Sequence, residues 1–536
     1  MRNFLIRSIG LLAITFGRAA VAADLSAPVY KAPPPVAVDL WNGFYGGVNA
    51  GGGISRNRTN DTEVVPGVAT FASPVIGNDV FNHALSGGVF GAQLGWNRHV
   101  APAWLLGLEA DAQWSSQSQS SCISACLPGE AFVTLLSVTD DQSLKWLGTA
   151  RARFGWLAPN GSLWYATGGA GWGQVEDTVT LAATPGYFLS GATTSAATFS
   201  HDRIGWAIGA GVETPLARNW SLKAEYLYVD LGRVTDSFTV ALGPAIQTGA
   251  MQTTTNSYSI HDNIVRVGVN YHFGEPGVVM VYAGPAYAAA GPVNAPTQWN
   301  GFYAGLNGGG SLARNPTTDT SLVTPELAFP VFGADSFSRA PFGGIFGAQV
   351  GANWRAAPSW VLGLETDFQW SGENDSACIS QCLPTGVAGV PGVTPGNLLG
   401  LIDQESLKWL ATARGRVGWV APNGSLWYAT GGAAWGRVDQ TLTLVATTAF
   451  LAPGTSGIAT FGQDRIGWTV GAGVETPLWD RWSVKAEYLY VDLGGITNSF
   501  SAPLDTSQAP QSTISTTSVS AIRDHIVRFG VNYHFN

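Results

Sequence analysis

Charged residues make up 12% of the 536-residue chain, against about 25% in soluble domains. The few that recur at fixed intervals therefore carry whatever chemistry the chain has. Glu109 and Asp111 stand two residues apart, as do Arg151 and Arg153, and Lys223 and Glu225, with Lys145, Glu213 and Arg266 between and beyond them. A spacing of two puts both side chains on one face of a β-strand. The set returns as Glu365, Asp367, Lys408, Arg414, Arg416, Glu475, Lys485, Glu487 and Arg528. Charges of both signs held away from water must pair. The expectation is a salt-bridged network that fills an enclosed space, with an ion or solute path as the alternative.

Other reactive residue types lead nowhere as firm. His83, His201 and His261 are of the metal- or haemin-binding type, but their counterparts in the second half are Arg339, Gln463 and Arg523. His272 and His534 do correspond and stand near Asn270 and Asn532, which suits hydrogen-bonded rim residues. His201-Asp202-Arg203 is the one cluster suggestive of catalysis, and it becomes Gln463-Asp464-Arg465. Nucleophilic catalysis needs a base beside the nucleophile, and no such pair is marked, so neither enzyme activity nor a cofactor is expected. The four cysteines form two tight pairs, Cys122 with Cys126 and Cys378 with Cys382, candidates for local disulfides in an oxidising compartment.

The elements that must position these charges are strands. No run of about 18 apolar residues follows the N-terminus, yet 46% of the chain is hydrophobic and it holds 68 glycines and 21 tryptophans. Alternating strands with one face in lipid fit that composition. In Leu144–Leu157, Arg151 and Arg153 oppose Phe154 and Trp156. In Trp104–Ser116, Glu109 and Asp111 oppose Leu106 and Leu108. Eight such blocks occur in the first half, the others being Phe44–Ser55, Gly87–His99, Leu163–Leu181, Asp202–Leu216, Trp220–Gly232 and Asp262–Phe273. Short turns alternate with long polar loops near Arg56–Ser86, Gln117–Ser143, Ala182–His201 and Arg233–His261, as short periplasmic turns and long outer loops do in transmembrane barrels. Aromatics gather near strand ends, and each half finishes on an aromatic-ended strand, with Tyr271 and Phe273, then Tyr533 and Phe535.

The halves are copies. WNGFYGGVNAGGG from Trp41 returns as WNGFYAGLNGGG from Trp299, KAEYLYVDLG from Lys223 returns from Lys485, and NIVRVGVNYHF returns as HIVRFGVNYHF. The spacing of about 260 residues is far beyond solenoid periods. Residues 1–22 read as a signal peptide, with Arg2 and Arg7, an apolar stretch and Ala20-Val21-Ala22. A Pro-rich leader over 23–40, a first barrel over 41–273, a linker over 274–298 and a second barrel over 299–536 follow. Two eight-stranded antiparallel up-and-down transmembrane barrels are expected. The alternative is one merged sixteen-stranded barrel, which would leave an aqueous channel.

The ADL start at Ala23, WNGFYGGVNAGG, KAEYLYVDLG and VRVGVNYHF, in that order, resemble the alphaproteobacterial RopB-type small outer-membrane barrels, relatives of the transmembrane domain of OmpA. The likeness covers nearly the whole chain twice, whereas that family's usual form has one barrel. It implies an envelope-structural and cell-surface role, with porin activity or haemin binding in some members, and no common enzyme activity. Lipid and lipopolysaccharide, the outer-membrane assembly machinery and surface ligands of the long loops are the implied partners. Lys and Arg total 27 against 36 Asp and Glu, which leaves no basic footprint for nucleic acid. Neither a peptidoglycan-binding module after Phe535 nor a plug domain ahead of Trp41 is expected.

Overall fold

The structure is a computed structural model that describes residues 37–38, 40–64, 75–124, 126, 136–183, 185, 188–244, 249–273, 278–279, 299–324, 331–379, 399–446, 457–503 and 513–535. The signal-peptide stretch and most of the leader and linker lie outside them. Within them the chain is antiparallel β-structure.

The first copy holds β1 (Gly43–Ser55), β2 (Asn57–Val64), β3 (Val75–His83), β4 (Ser86–Ala101), β5 (Trp104–Ser124), β6 (Leu136–Leu157), β7 (Leu163–Ala183), β8 (Thr194–Ala217), β9 (Trp220–Ala241) and β10 (Met251–His272). The second copy holds β11 (Gly301–Ala313), β12 (Asn315–Thr324), β13 (Val331–Arg339), β14 (Phe342–Ala357), β15 (Trp360–Ile379), β16 (Leu399–Val420), β17 (Leu426–Ala446), β18 (Ile458–Pro477), β19 (Trp482–Pro503) and β20 (Thr513–His534). An isolated ladder, Ala37–Val38 against Val278–Val279, joins the stretches ahead of the copies.

Each copy closes on itself. From β4 to β10 each strand pairs with the next, and β1 pairs with both β4 and β10. The second ring closes in the same way, β11 pairing with β14 and β20. Between copies, among the described residues, the ladders meet at two single-residue bridges, Ser336 with Cys122 and Cys378 with Val80. Within the apolar belt the ladders thus form two rings of eight staves, while above it the bridges from β3 to β15 and from β13 to β5 join the extensions of both copies into one ring of sixteen strands. The hairpins β2–β3 and β12–β13 prolong the first two staves of each ring.

The outward face is apolar in a band. Along β5, Trp104, Leu106, Leu108 and Trp114 all point out. From Trp104 to Trp114 the strand runs about 33 Å, or about 24 Å across a bilayer at about 45° tilt, the height of a barrel's lipid-facing belt. Above that belt the staves continue where sequence reading expects loops: β2, β3, the last turns of β5 and β9 and the first of β6, β8 and β10 lie there. Hydroxyl pairs such as Thr178 with Thr198, Ser237 with Thr255 and Thr239 with Thr253 (each 3.0 Å) line the outer face of these extensions. Polar β-branched residues suit a strand in water as well as apolar ones suit a strand in lipid. A polar pattern therefore does not mark where a stave ends.

The rings touch through a pseudo-two-fold set of contacts. Arg56 Nε donates to the Ala340 carbonyl and Arg314 Nε to that of Ala84, both at 2.9 Å. At the short-turn end, Asn160 donates to Ser425 Oγ and Asn423 to Ser162 Oγ, both at 2.8 Å. Those turns contain Gly161 (φ 84°) and Gly424 (φ 86°), left-handed positions that account for the Asn-Gly dipeptides.

Candidate functional site

The lumen of the first barrel is layered. At its short-turn end Trp41 packs with Leu105, Leu163 and Tyr165, and its indole NH donates to the Gly161 carbonyl (3.1 Å), drawing that turn beneath the barrel.

Above lies a charge network. Arg151 reaches Glu109 (2.6 Å), Asp111 (2.8 Å) and Glu225 (3.1 Å). Arg266 binds Asp111 (2.9 Å) and Glu225 (2.5 Å). Lys223 donates to Glu109 (2.8 Å), and Arg153 binds Glu213 (2.9 Å) while lying over the Tyr165 ring at 3.9 Å. Tyr45 and Tyr165 hydroxyls donate to Glu109 (2.7 Å) and Glu225 (2.9 Å), and Arg153 donates to Tyr45. Ser221 and Asn270 supply further donors to Glu213, each at 2.6 Å. Four carboxylates thus face four cations, every one of them buried.

The second barrel repeats the arrangement. Arg414 binds Glu365 (2.5 Å), Asp367 (2.7 Å) and Glu487 (3.0 Å). Arg528 binds Asp367 (2.9 Å) and Glu487 (2.5 Å), Lys485 binds Glu365 (2.9 Å), and Arg416 binds Glu475 (3.1 Å).

Two residues expected in these networks are not there. The register shifts at Lys145, between Leu144 and Trp146, and at Lys408, between Leu407 and Trp409. A β-bulge inserts an unpaired residue and reverses the alternation beyond it. Lys145 therefore points outward and pairs with Glu176 at 3.0 Å, and Lys408 is exposed.

A layer missed by sequence reading sits above the charges. Leu147, Val175, Leu227, Val229, Leu231 and Ile264 form one buried cluster inside the first barrel; Leu410, Val438, Leu489, Val491, Leu493 and Ile526 form its counterpart. The signal lies in KAEYLYVDLG, where the inward face passes from Lys223 and Glu225 to Leu227, Val229 and Leu231.

Higher still, beyond the lipid-facing belt, Asp61, Glu63, Asp79, Asp140 and Asp177 are buried together with His83. Burial pushes the Glu63 carboxyl up to about 8 and Asp140 to about 7, and pushes the His83 imidazole down to about 3. Asn256 donates to Asp140 (2.8 Å) and Asp177 (3.0 Å). In the second barrel Arg339, in place of His83, pairs with Asp403 and lies 3.9 Å from Asp319. Gln440 and Asn498 stand where the first copy has Asp177 and Asp236.

The histidines do not converge. His83 contacts Thr59 (3.1 Å), His201 binds Asp236 (2.7 Å), and His261 lies 3.6 Å from Asp230. His272 and His534 hydrogen-bond Ser221 (2.9 Å) and Ser483 (3.0 Å) beneath their networks. Cys122 is disulfide-bonded to Cys126. Cys378 is also disulfide-bonded, and Cys382 lies outside the described residues. Tyr271 and Phe273, like Tyr533 and Phe535, make edge-to-face pairs (5.4 and 5.3 Å) at the short-turn end.

The family whose sequence profile matches is described as the outer membrane protein beta-barrel domain, over residues 10–273 and again over 277–535. The 31 kDa outer-membrane immunogenic protein of Brucella melitensis is 30% identical over 264 residues, covering 48% of this chain and 91% of that protein, and the Brucella suis protein of the same name matches equally. Among solved structures, Neisserial surface protein A covers 44% of this chain and 98% of its own, with 12% identity and a TM-score of 0.19. OprG from Pseudomonas aeruginosa covers 44% and 97%, with 11% identity and a TM-score of 0.21. Two profile matches, together spanning nearly the whole chain, place it in the outer membrane as a member of the outer membrane protein β-barrel domain family that carries the domain twice.

Proposed function

We propose that the protein is a structural component of the outer membrane: a pair of occluded barrels that presents long extensions at the cell surface and conducts no solute. The observation that carries this reading is the balance of four carboxylates by four cations in each lumen, capped by an apolar layer. An eight-stranded barrel encloses room for side chains and little more. Separating such pairs to admit a solute would cost several kcal/mol per ion, and the aliphatic layer offers a passing solute no hydrogen bond. Assembly would proceed through the barrel-folding machinery, with the aromatic-ended strands β10 and β20 as its signals. Any ligand would be met by the extensions above the belt.

Liposomes loaded with the folded protein and challenged with isotonic arabinose should swell no faster than protein-free vesicles. Swelling that scales with protein content would sink the occluded reading and favour a porin.

A further inference from the structure

A cavity of about 530 Å³ lies in the seam between the two barrels, within the usual size range of small-molecule sites. Its walls include Gly52 and Val265 from one barrel and Gly310, Val527 and Phe529 from the other, with Tyr226 and Tyr488 beside the two valines. Three features bear on what fills it.

The first is where the glycines are. Gly52 and Gly310 come from the repeated glycine-rich motif, yet neither has a positive φ. A Cβ on Gly310 would meet nothing within 4 Å, and one on Gly52 only the Gly87 carbonyl at 3.8 Å. Neither backbone conformation nor packing requires glycine there, so the space is left open into the seam.

The second is depth. Val527 and Phe529 belong to the outward row of β20, and Phe529 is 40% exposed, as lipid-facing side chains are. An apolar hollow at this level takes no ordered water, which needs two to four polar partners, and a vacuum forfeits dispersion contacts.

The third is charge at the upper end. Continuing the two outward rows upward, Leu312 is followed by Arg314 and His525 is preceded by Arg523, with the Arg314 NH bonded to the Arg523 carbonyl at 2.8 Å. Their guanidinium charges repel each other. On the pseudo-symmetric side Arg56 has a carboxylate, Asp375 at 3.2 Å, whereas the position equivalent to Asp375 facing Arg314 is Gln119. Arg523 has one carboxylate, Asp492 at 3.4 Å.

We infer that the inter-barrel seam binds one phosphate-bearing lipid of the outer leaflet, an acyl chain filling the cavity beside Gly52 and Gly310 and the phosphate lying on Arg314 and Arg523. The chain supplies the missing apolar contacts, and the phosphate neutralises the surplus positive charge. Such a lipid would seal the barrels to each other.

The test is native mass spectrometry of the full folded chain, titrated with a phosphatidylglycerol or a galactosyl diacylglycerol bearing the same acyl chains. Wild type should retain a single phosphatidylglycerol, preferred over the neutral lipid by about tenfold or more, given two cations near an anionic headgroup. Gly310→Leu, which fills the cavity from its own wall, should lose that lipid, and Gly52→Leu serves if it does not fold. Arg314→Gln with Arg523→Gln should erase the preference while leaving the acyl chain bound. Equal retention by Gly310→Leu and wild type, equal affinity for the two lipids, or a second copy or detergent seated in place of lipid would each overturn the assignment. An unheated gel shift establishes that every variant tested is folded.

Discussion

Arg151 holds three carboxylates at once, so removing its guanidinium strands negative charge inside a closed lumen. Breaking a buried ion pair from one side costs about 3–5 kcal/mol. Arg151→Ala should destabilise the first barrel by that amount in urea unfolding from vesicles, and Arg414→Ala the second. A loss below about 1 kcal/mol, the scale of an exposed pair, would mean that the lumen is wet. Above the belt the sign of the pH dependence differs from that of an ordinary salt-bridged barrel. Glu63 moves from 4.5 up to about 8 and Asp140 from 3.8 up to about 7. The folded state therefore binds protons more tightly, and the stabilisation is present at acid pH and lost as pH rises through those values. His83, pushed down from 6.5 to about 3, works the other way, its share being lost as pH falls from 6.5. Asp61 and Asp177 are raised as well, so the carboxyls outweigh the imidazole. Amide protection factors in β2 and upper β10, taken relative to the intrinsic exchange rate at each pH, should rise between pH 8 and pH 6, and Glu63→Gln should weaken that response. Unaltered dependence in the variant would rule out this chamber as its source.

At the scale of elements, the motifs shared by the copies mark a parting of strands. β9 pairs with β8 only as far as Asp230 with Trp206. A bulge at Asp230–Gly232, with Gly232 at φ 81°, then turns β9 away toward β10. Side chains replace the lost ladder: Arg203 donates to the Arg233 carbonyl (2.9 Å), and His201 bonds Asp236 across the gap. The second copy has the same bulge at Asp492–Gly494 and a Gln463–Asn498 contact of 2.6 Å. Arg203→Ala should speed amide exchange in β8 above Trp206 and leave the membrane-spanning part unchanged; protection lost equally along β8 would contradict this. The sequence made the barrels legible because alternation across a lipid boundary is a strong signal in Trp104–Ser116 and Leu144–Leu157. It hid the bulges at Lys145 and Lys408, because a single extra residue leaves no compositional trace. It also hid the aliphatic layer: Leu227 and Val229 look like lipid-facing residues until register assigns them inward. The charged sets of the lumen were readable from the two-residue spacing, but their partners were not, since pairing across strands depends on stagger.

At the scale of the molecule, duplication has produced two closed rings within the belt and a shared rim of paired extensions above it. β10 returns to β1 and β20 to β11, so within the belt each copy pairs its strands with its own, as lipid-embedded strands must be paired. The cross-contacts of Arg56 and Arg314 repeat each other, as they do in a two-fold dimer. The buried polar chamber above the belt differs between the copies, with Arg339 for His83, Gln440 for Asp177 and Asn498 for Asp236. The claim joining these observations is that each lumen is shut, and single-channel recording of the folded full-length chain in a planar bilayer tests it most directly. A shut lumen predicts a silent membrane, or at most rare and very small steps. Large, stable openings that pass small sugars would contradict it and require an open channel that the charge networks do not leave room for.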